Sequence, residues 1–155
     1  MDFDKAFELV IGHEGGYVNN PKDPGGETKF GISKRAYPNE DIKNLTLEKA
    51  KFYYKRDYWD AIKADQLPPE LRFHIFDAAV NSGVKQASIW LQKACKVKVD
   101  GVVSPGTIEA SKSLSGAFLA AAFNGVRLEF MTSLPIWSEF GRGWARRIAA
   151  NLQMR

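Results

Sequence analysis

Residues 13–32, HEGGYVNNPKDPGGETKFGI, interrupt a sequence whose apolar residues otherwise repeat at helical spacing. The stretch from 14 to 32 holds five glycines and two prolines, too many helix breakers for a helix. We therefore expect a loop with short strands or a small hairpin at residues 16–19 and 29–32. Within it, the sequence DPGG at 23–26 predicts a tight turn, with proline second and a glycine of positive φ third.

On both sides of this stretch, apolar residues recur every three or four positions, which predicts amphipathic helices. Thr46, Pro69 and Ser104-Pro105 are typical helix starts, and Gly83 is a typical end. The pattern predicts an all-α fold with a small irregular or β-hairpin excursion near residues 14–32. The expected helices span about 3–13, one turn from 33, 47–58, 69–83, 85–95, 104–113, 115–133 and 137–152.

Length and composition narrow the class of protein further. A chain of 155 residues with 45% hydrophobic residues predicts one globular domain, with at most a small appendage. No apolar run approaches the roughly 20 residues of a membrane-spanning helix. The first residues, MDFDK, lack a signal peptide's features, so we expect cytoplasmic synthesis and export by lysis or a helper. The single Cys95 excludes an internal disulfide and is expected to be a packing residue.

Charge is distributed unevenly along the chain. Residues 1–80 carry 12 Lys or Arg against 14 Asp or Glu, whereas residues 81–155 carry 10 against 4. The basic half predicts an anionic partner such as a cell envelope, although a role in solubility alone explains it equally well. No nucleic-acid-binding motif is present, so we do not expect a nucleic-acid partner.

The residues around the interrupting stretch fit the cleavage of a glycosidic bond. Such a reaction needs a protonated carboxyl group for the leaving oxygen, and a second polar group for the attacking water. Glu14, at the end of the first helix, is the candidate acid, and its aromatic neighbours Tyr17 and Phe30 could raise its pKa by desolvation. Asp23 and Thr28 are candidates for the water.

Alternatives stay open at these and later positions. Glu27 competes with Asp23 as the second carboxylate, and both Asp23 and Thr28 could simply bond their own backbone. Asn81 either ends its helix or contacts substrate; Asp77, four residues earlier, could orient Asn81 or line the cleft. No metal or cofactor is expected, because no His-Glu-x-x-His zinc motif is present and His74 lies on an apolar helix face.

A family resemblance rests on five segments of the sequence. Together they resemble glycoside hydrolase family 108, phage-type endolysins and bacterial relatives that cleave peptidoglycan as N-acetylmuramidases. The resemblance covers most of residues 5–150. The segments are EGGYV at 14–18, NPKDPGGETKFGI at 20–32, DAAVNSG at 77–83, WLQ at 90–92 and DGVVSPGT at 100–107.

The resemblance implies a lysozyme-like, bacteriolytic enzyme that cleaves the bond between N-acetylmuramic acid and N-acetylglucosamine, with Glu14 as the catalytic acid. The order Glu14, Asp23, Thr28 is similar to that of phage lysozymes, although the gap to Thr28 is one residue shorter. Asn20 and Ser104 stand where the family would have Asp and Gly.

The implied organisation is a catalytic region at 1–80 and a peptidoglycan-binding region at 81–155, packed as one monomeric unit. The expected substrate-binding residues are Tyr17, Glu27, Asp77 and Asn81. The alternatives are chitinase-like activity, or a peptidoglycan-binding or secretion-assisting protein without turnover.

Overall fold

The structure, a computed structural model, describes residues 1–11 and 16–154, and this part of the chain is mainly helical with one small sheet. The all-α prediction with a small β excursion is therefore confirmed. The helices are α1 (Phe3–Ile11), α2 (Leu47–Tyr54), α3 (Pro69–Ser82), α4 (Val84–Cys95), α5 (Pro105–Lys112), α6 (Gly116–Thr132) and α7 (Trp137–Leu152). A π-helical segment, Lys55–Trp59, continues α2, and a 3-10 turn, Ala64–Gln66, precedes α3.

The helix starts follow from side chains that accept backbone hydrogen bonds. Thr46 Oγ1 accepts from the N–H of Lys49 at 3.2 Å, and α2 begins one residue after Thr46. Ser104 and Ser115 cap α5 and α6 in the same way, each accepting from a backbone N–H three residues later. Gly83 ends α3 with a positive φ of 94°. These boundaries agree with the sequence pattern to within one or two residues.

The sheet has three short antiparallel strands, β1 (Val18–Asn19), β2 (Glu27–Lys29) and β3 (Ile32–Ser33). Lys29 pairs with Ile32, so Phe30 and Gly31 form the two-residue turn of the hairpin. Both have positive φ, 51° and 74°, as the favoured type of two-residue hairpin turn requires. Of the two forms expected at 29–32, short strands or a small hairpin, the structure therefore has the hairpin, with its turn at the middle two residues.

The turn at residues 23–26 forms as predicted, but its positive φ lies elsewhere. Gly26 N–H donates to the carbonyl of Asp23 at 3.0 Å, which closes the turn. Positive φ, 69°, occurs at Gly26, the fourth residue, and not at Gly25, the third. A second correction concerns the turn of helix that was expected to begin at Ser33, because Ser33 instead ends β3. The turn after it is closed by a single backbone hydrogen bond, from Tyr37 N–H to the Ser33 carbonyl.

Helix α3 lies at the centre of the hydrophobic core and contacts α1, α4 and α6. Ile75 and Phe76 on α3 are fully buried. Phe76 meets Phe3 of α1 and Trp59 of the π-helical segment edge-on, with ring centroids 5.9 and 5.4 Å apart. This aromatic cluster holds the start of the chain against α3.

The loop after α4 is organised by one buried amide, that of Gln92. Its Nε2 donates to Asp100 Oδ1 at 2.8 Å and to the carbonyl of Val102 at 2.9 Å. Its Oε1 accepts from the N–H groups of Asp100 and Gly101. Buried amides are stable only when their hydrogen bonds are made, so Gln92 fixes the conformation of this loop.

Within residues 1–11 and 16–154, no helix combines the length and the hydropathy needed to cross a membrane. The predicted boundary between the catalytic and binding regions, after residue 80, falls inside α3, two residues before that helix ends.

Candidate functional site

Glu14, the predicted catalytic acid, lies outside the described residues, as does His13 before it. The structure describes the elements on either side, α1 up to Ile11 and the sheet from Val18. The role of Glu14 therefore stays a prediction. The candidate site residues that the structure does describe all follow Glu14 in the sequence.

Asp23 holds its own turn and keeps part of its carboxylate exposed. Its Oδ1 accepts from the N–H of Gly25 at 2.8 Å, the local bond that a turn aspartate makes. Its Oδ2 has no hydrogen-bond partner among the described residues. The turn is tied to the chain after β3, because Arg35 N–H donates to the carbonyl of Gly25 at 3.2 Å. Asp23 thus presents one free oxygen from an anchored turn.

Strand β2 sends Thr28 and Glu27 to opposite faces of the sheet, since neighbouring side chains alternate along a strand. Thr28 pairs with Val18 and Ser33, and these side chains share its face. Its hydroxyl makes no hydrogen bond within the described part of the chain. Thr28 is half-buried, so its hydroxyl lies at the protein surface without a partner among the described residues.

The other face of the sheet brings Tyr17 and Glu27 together. Glu27 pairs with Asn19, and Tyr17 precedes Asn19 by two positions, so the three side chains share a face. Partial desolvation, together with the charge and hydrogen-bonding carboxylate of Glu27, raises the pKa of Tyr17. Glu27 and Thr28 therefore do not face the same volume, a separation that the sequence could not decide.

The hairpin is anchored to the helical body through Phe30. The carbonyl of Phe30 accepts a 2.9 Å hydrogen bond from the hydroxyl of Tyr54, which is buried at the end of α2. Phe30 and Tyr17 are both half-buried and pack against the hydrophobic core. The two aromatic residues expected near the catalytic acid thus pack against the hydrophobic core and do not extend into solvent.

Asp77 lies below the surface, with a relative exposure of 2%. Its Oδ2 accepts from Arg127 Nη1 and from Asn151 Nδ2, both at 2.9 Å, and its Oδ1 accepts from Arg147 Nη2 at 2.7 Å. Burial opposes ionisation, but the hydrogen bonds from Arg147 and the charge of Arg127 outweigh it and lower the pKa of Asp77. The carboxylate is fully occupied by protein groups.

Asn81 lies one helical turn after Asp77 and is exposed. With its amide oriented to suit its surroundings, its oxygen accepts from Arg147 Nε at 2.7 Å and from Arg127 Nη2 at 3.2 Å. Asp77 and Asn81 therefore bind the same two guanidinium groups. The predicted link between the two residues exists, but it runs through arginines.

Three residues of this cluster, Arg127, Arg147 and Asn151, were not predicted from the sequence. A signal for Arg127 was present: it lies at helical spacing between Phe123 and Met131, both buried, so its own side chain must face the core. A buried arginine needs a buried acid. Nothing in the sequence pattern distinguishes Arg147 from its neighbours Arg142 and Arg146, which are exposed.

Two other reactive side chains among the described residues, His74 and Cys95, are half-buried. His74 Nδ1 accepts from Asn124 Nδ2 at 3.0 Å, and burial lowers the pKa of His74, so the ring is neutral. Cys95 is half-buried against the core, and burial raises the pKa of its thiol. Across residues 1–11 and 16–154, no group of three His, Cys, Asp or Glu side chains is placed to hold a metal ion.

The sequence and the overall structure were compared with those of known proteins. The model of the family described as glycosyl hydrolase 108 matches residues 7–83. The solved structure of SagA from Brucella abortus is similar to the whole chain, with a TM-score of 0.86 and 34% sequence identity. The match covers 97% of this chain and 91% of that one. No curated protein matches the sequence.

Proposed function

Because this chain belongs to the glycosyl hydrolase 108 family, we propose that it cleaves the β-1,4 bond between N-acetylmuramic acid and N-acetylglucosamine in peptidoglycan. The family match to residues 7–83 carries this proposal, since that range contains all of the candidate site residues. Those residues are Glu14, Tyr17, Asp23, Glu27, Thr28, Asp77 and Asn81. Membership makes the protein a glycoside hydrolase; the bond and the roles of the residues are our proposal.

In the proposed reaction, Glu14 is the general acid and gives its proton to the oxygen that leaves the anomeric carbon. An acid in this role must be protonated when substrate binds, and a desolvated surrounding raises a carboxyl pKa for that purpose. Tyr17 and Phe30 support the assignment, because both rings pack against the hydrophobic core next to the strands of the sheet.

We assign the binding and activation of the attacking water to Asp23 and Thr28. Each keeps an oxygen without a protein partner in the described part of the chain, Oδ2 in Asp23 and Oγ1 in Thr28. If Asp23 takes the proton of the water as it attacks, the anomeric centre inverts, and the two carboxyl groups should lie roughly 6.5–9.5 Å apart. Glu27 is the weaker candidate, because it faces the opposite side of the sheet and contacts Tyr17.

Substrate binding is assigned to Tyr17, Glu27 and Asn81. Tyr17 and Glu27 offer an aromatic ring beside a carboxylate, a combination that stacks on a sugar and binds its hydroxyl groups. Asn81 offers its amide nitrogen from the exposed end of α3. Asp77 acts indirectly, by holding the arginines that hold Asn81.

We further propose that residues 1–80 carry catalysis and residues 81–155 bind peptidoglycan, the two acting as one monomeric unit at the cell wall. Exposed basic residues such as Arg142 and Arg146 support attraction to an anionic envelope. On this view the protein is a bacteriolytic, endolysin-like enzyme.

Mass spectrometry of digested peptidoglycan tests the proposal. After borohydride reduction of the products, a new reduced muramic acid end identifies a muramidase. A reduced glucosamine end means a glucosaminidase, and cleavage of chitin alone means a chitinase-like enzyme. Wall binding without any new reducing end means a peptidoglycan-binding or secretion-assisting protein, which contradicts the proposal.

A further inference from the structure

A cavity of about 410 Å³ opens between the end of α3 and helices α4, α6 and α7. We call it the guanidinium cavity. The lining residues on which its chemistry depends are Asn81, Trp90, Arg127, Phe130, Trp144 and Arg147. Its volume is in the range of small-molecule sites. Tyr17, Asp23, Glu27 and Thr28 are not among its lining residues, so it is distinct from the hairpin.

Among the described residues, the cluster beneath the cavity has one positive charge in excess. Arg127 and Arg147 both bind Asp77, and the part of the lining that residues 1–11 and 16–154 contribute holds no carboxylate. Arg127 is 1% exposed and therefore held almost entirely out of water. Because Asp77 supplies one negative charge for two guanidinium groups, a positive charge remains at Arg147, whose partly exposed side chain lines the cavity, and the cavity therefore favours a ligand with a single negative charge.

Several N–H donors around the cavity have no acceptor within residues 1–11 and 16–154. Within the described residues, Nη1 of Arg147 has no partner, and the Arg147 side chain is 38% exposed. Arg127 Nε and Trp90 Nε1 are also buried without a hydrogen bond to any described residue. Buried donors in proteins are almost always paired. These three N–H donors, unpaired among the described residues, belong to side chains that all line the cavity, so a ligand that brings a hydrogen-bond acceptor is favoured there.

The rest of the wall is apolar and aromatic. Phe130 and Trp144 are half-buried, and Phe140 stacks on Trp144 with ring centroids 5.9 Å apart. A small apolar group next to an anion fits this wall. A phosphate monoester carries nearly two negative charges and would overbalance the site, whereas a carboxylate carries one. Arginine's planar fork also suits a carboxylate.

We propose that the guanidinium cavity binds the free carboxylate of a short peptide with small apolar side chains. Resting on the proposed function, we identify this ligand with the stem peptide of peptidoglycan. The sugars of the strand carry no free carboxylate once their lactyl groups are joined to peptide. The protein would then bind the peptide of its substrate with α3, α4, α6 and α7, and not with Asp23 or Thr28.

The first test needs no catalytic activity. N-acetyl-D-alanyl-D-alanine, with a free carboxylate, is titrated into the ¹⁵N-labelled protein, and its C-terminal amide serves as the matched probe. We expect the indole N–H signals of Trp90 and Trp144 to shift. The indole of Trp59, which is buried and donates to Asp65, should stay unchanged. The amide should bind at least about tenfold more weakly than the acid, because a charge-assisted hydrogen bond is lost.

A pair of glycine variants tests the location. Gly143 lines the cavity and Gly125 does not, yet both are exposed within helices and have nothing within 4 Å of an added Cβ. Gly143→Leu should block the cavity and abolish binding of the acid, whereas Gly125→Leu should leave it unchanged. Both substitutions favour the helix, so both variants should fold. Circular dichroism melting checks this.

Several outcomes would overturn the proposal. They are equal binding of acid and amide, no saturable shift of the two indoles, tighter binding of inorganic phosphate than of the acid, or equal behaviour of the glycine variants. On peptidoglycan, Gly143→Leu should slow cleavage of peptide-bearing strands but not of strands stripped by an amidase. If neither substrate is cleaved even by the wild type, the proposed function fails, while the titration still decides about the cavity.

Discussion

Asp77 on α3 accepts a 2.7 Å hydrogen bond from Nη2 of Arg147 on α7, although seventy residues separate the two along the chain. The same carboxylate binds Arg127 on α6. One acid therefore joins three helices, and it does so where Asn81 and the guanidinium cavity lie. Its loss should affect both stability and binding.

Asp77→Asn should lower the free energy of unfolding by about 3–5 kcal/mol, because it leaves two guanidinium groups without their carboxylate, one of them buried. Urea denaturation measures the change. Asp60→Asn is the control, since Asp60 pairs with Lys55 in an exposed ion pair and should cost at most about 1 kcal/mol. Equal losses in the two variants would mean that the buried cluster adds no stability of its own.

The contribution of Asp77 should depend on pH in a defined direction. Its pKa is lowered on folding, so its stabilisation is present above the unfolded-state value of about 4 and disappears as pH falls through the folded-state value. The gap in unfolding free energy between wild type and Asp77→Asn should be constant above about pH 5 and shrink in more acidic buffer. Denaturation curves between pH 2 and 7 check this; a gap that does not vary with pH would contradict it.

Glu14→Gln should abolish wall hydrolysis while the melting temperature stays near that of the wild type. The substitution removes the proposed proton donor at nearly constant volume, and general acid catalysis contributes on the order of 10²–10⁴-fold in rate. Turbidity clearing of purified walls measures the loss. Glu8→Gln, at an exposed position of α1, is the matched control and should be fully active. A Glu14 variant with more than about a tenth of wild-type activity would refute the assignment.

Asp23→Asn and Thr28→Val should each reduce kcat more than they raise KM, because both residues are assigned to the attacking water. Asparagine can still accept from Gly25 N–H, so the turn should survive, and valine keeps the β-branched shape that suits a strand. Thr28→Ser retains the hydroxyl and should keep most activity. If Asp23→Asn hydrolyses walls at full rate, the second carboxylate is Glu27, or Thr28 alone holds the water.

Reversing Arg142 and Arg146 to Glu should slow lysis of whole envelopes at low salt, and should barely alter cleavage of short neutral fragments. Both side chains are exposed on α7, and exposed charges act over a Debye length of about 10 Å at 0.1 M salt. Lysis rates between 10 and 300 mM salt measure the effect. Lys93→Glu with Lys112→Glu makes the same charge change elsewhere on the surface.

The outcome separates three explanations for the basic half. If both substrates respond alike, the arginines are structural or contact the glycan directly. If the lysine pair has the same effect, total charge matters and position does not. If neither substrate responds, the excess of basic residues in 81–155 serves solubility.

Local sequence was sufficient for most of the secondary structure. Thr46, Ser104 and Ser115 each cap a helix with their own side chains, and Gly83 ends α3 through its own backbone. Such signals act within three or four residues, so they can be found without a structure. The hairpin was harder, because the turn uses Phe30, a residue that rarely has positive φ.

The candidate site, too, was predictable from local sequence only in part. The sequence by itself determined the all-α class, most helix boundaries and the candidates Glu14, Asp23 and Thr28, because these depend on short-range spacing and motif. Only the tertiary structure decided that Glu27 and Thr28 face opposite sides of the sheet, and that Arg147 differs from Arg142 and Arg146. Those facts depend on strand register and on contacts between residues as far apart as 77 and 147, where packing, not local preference, selects the partner.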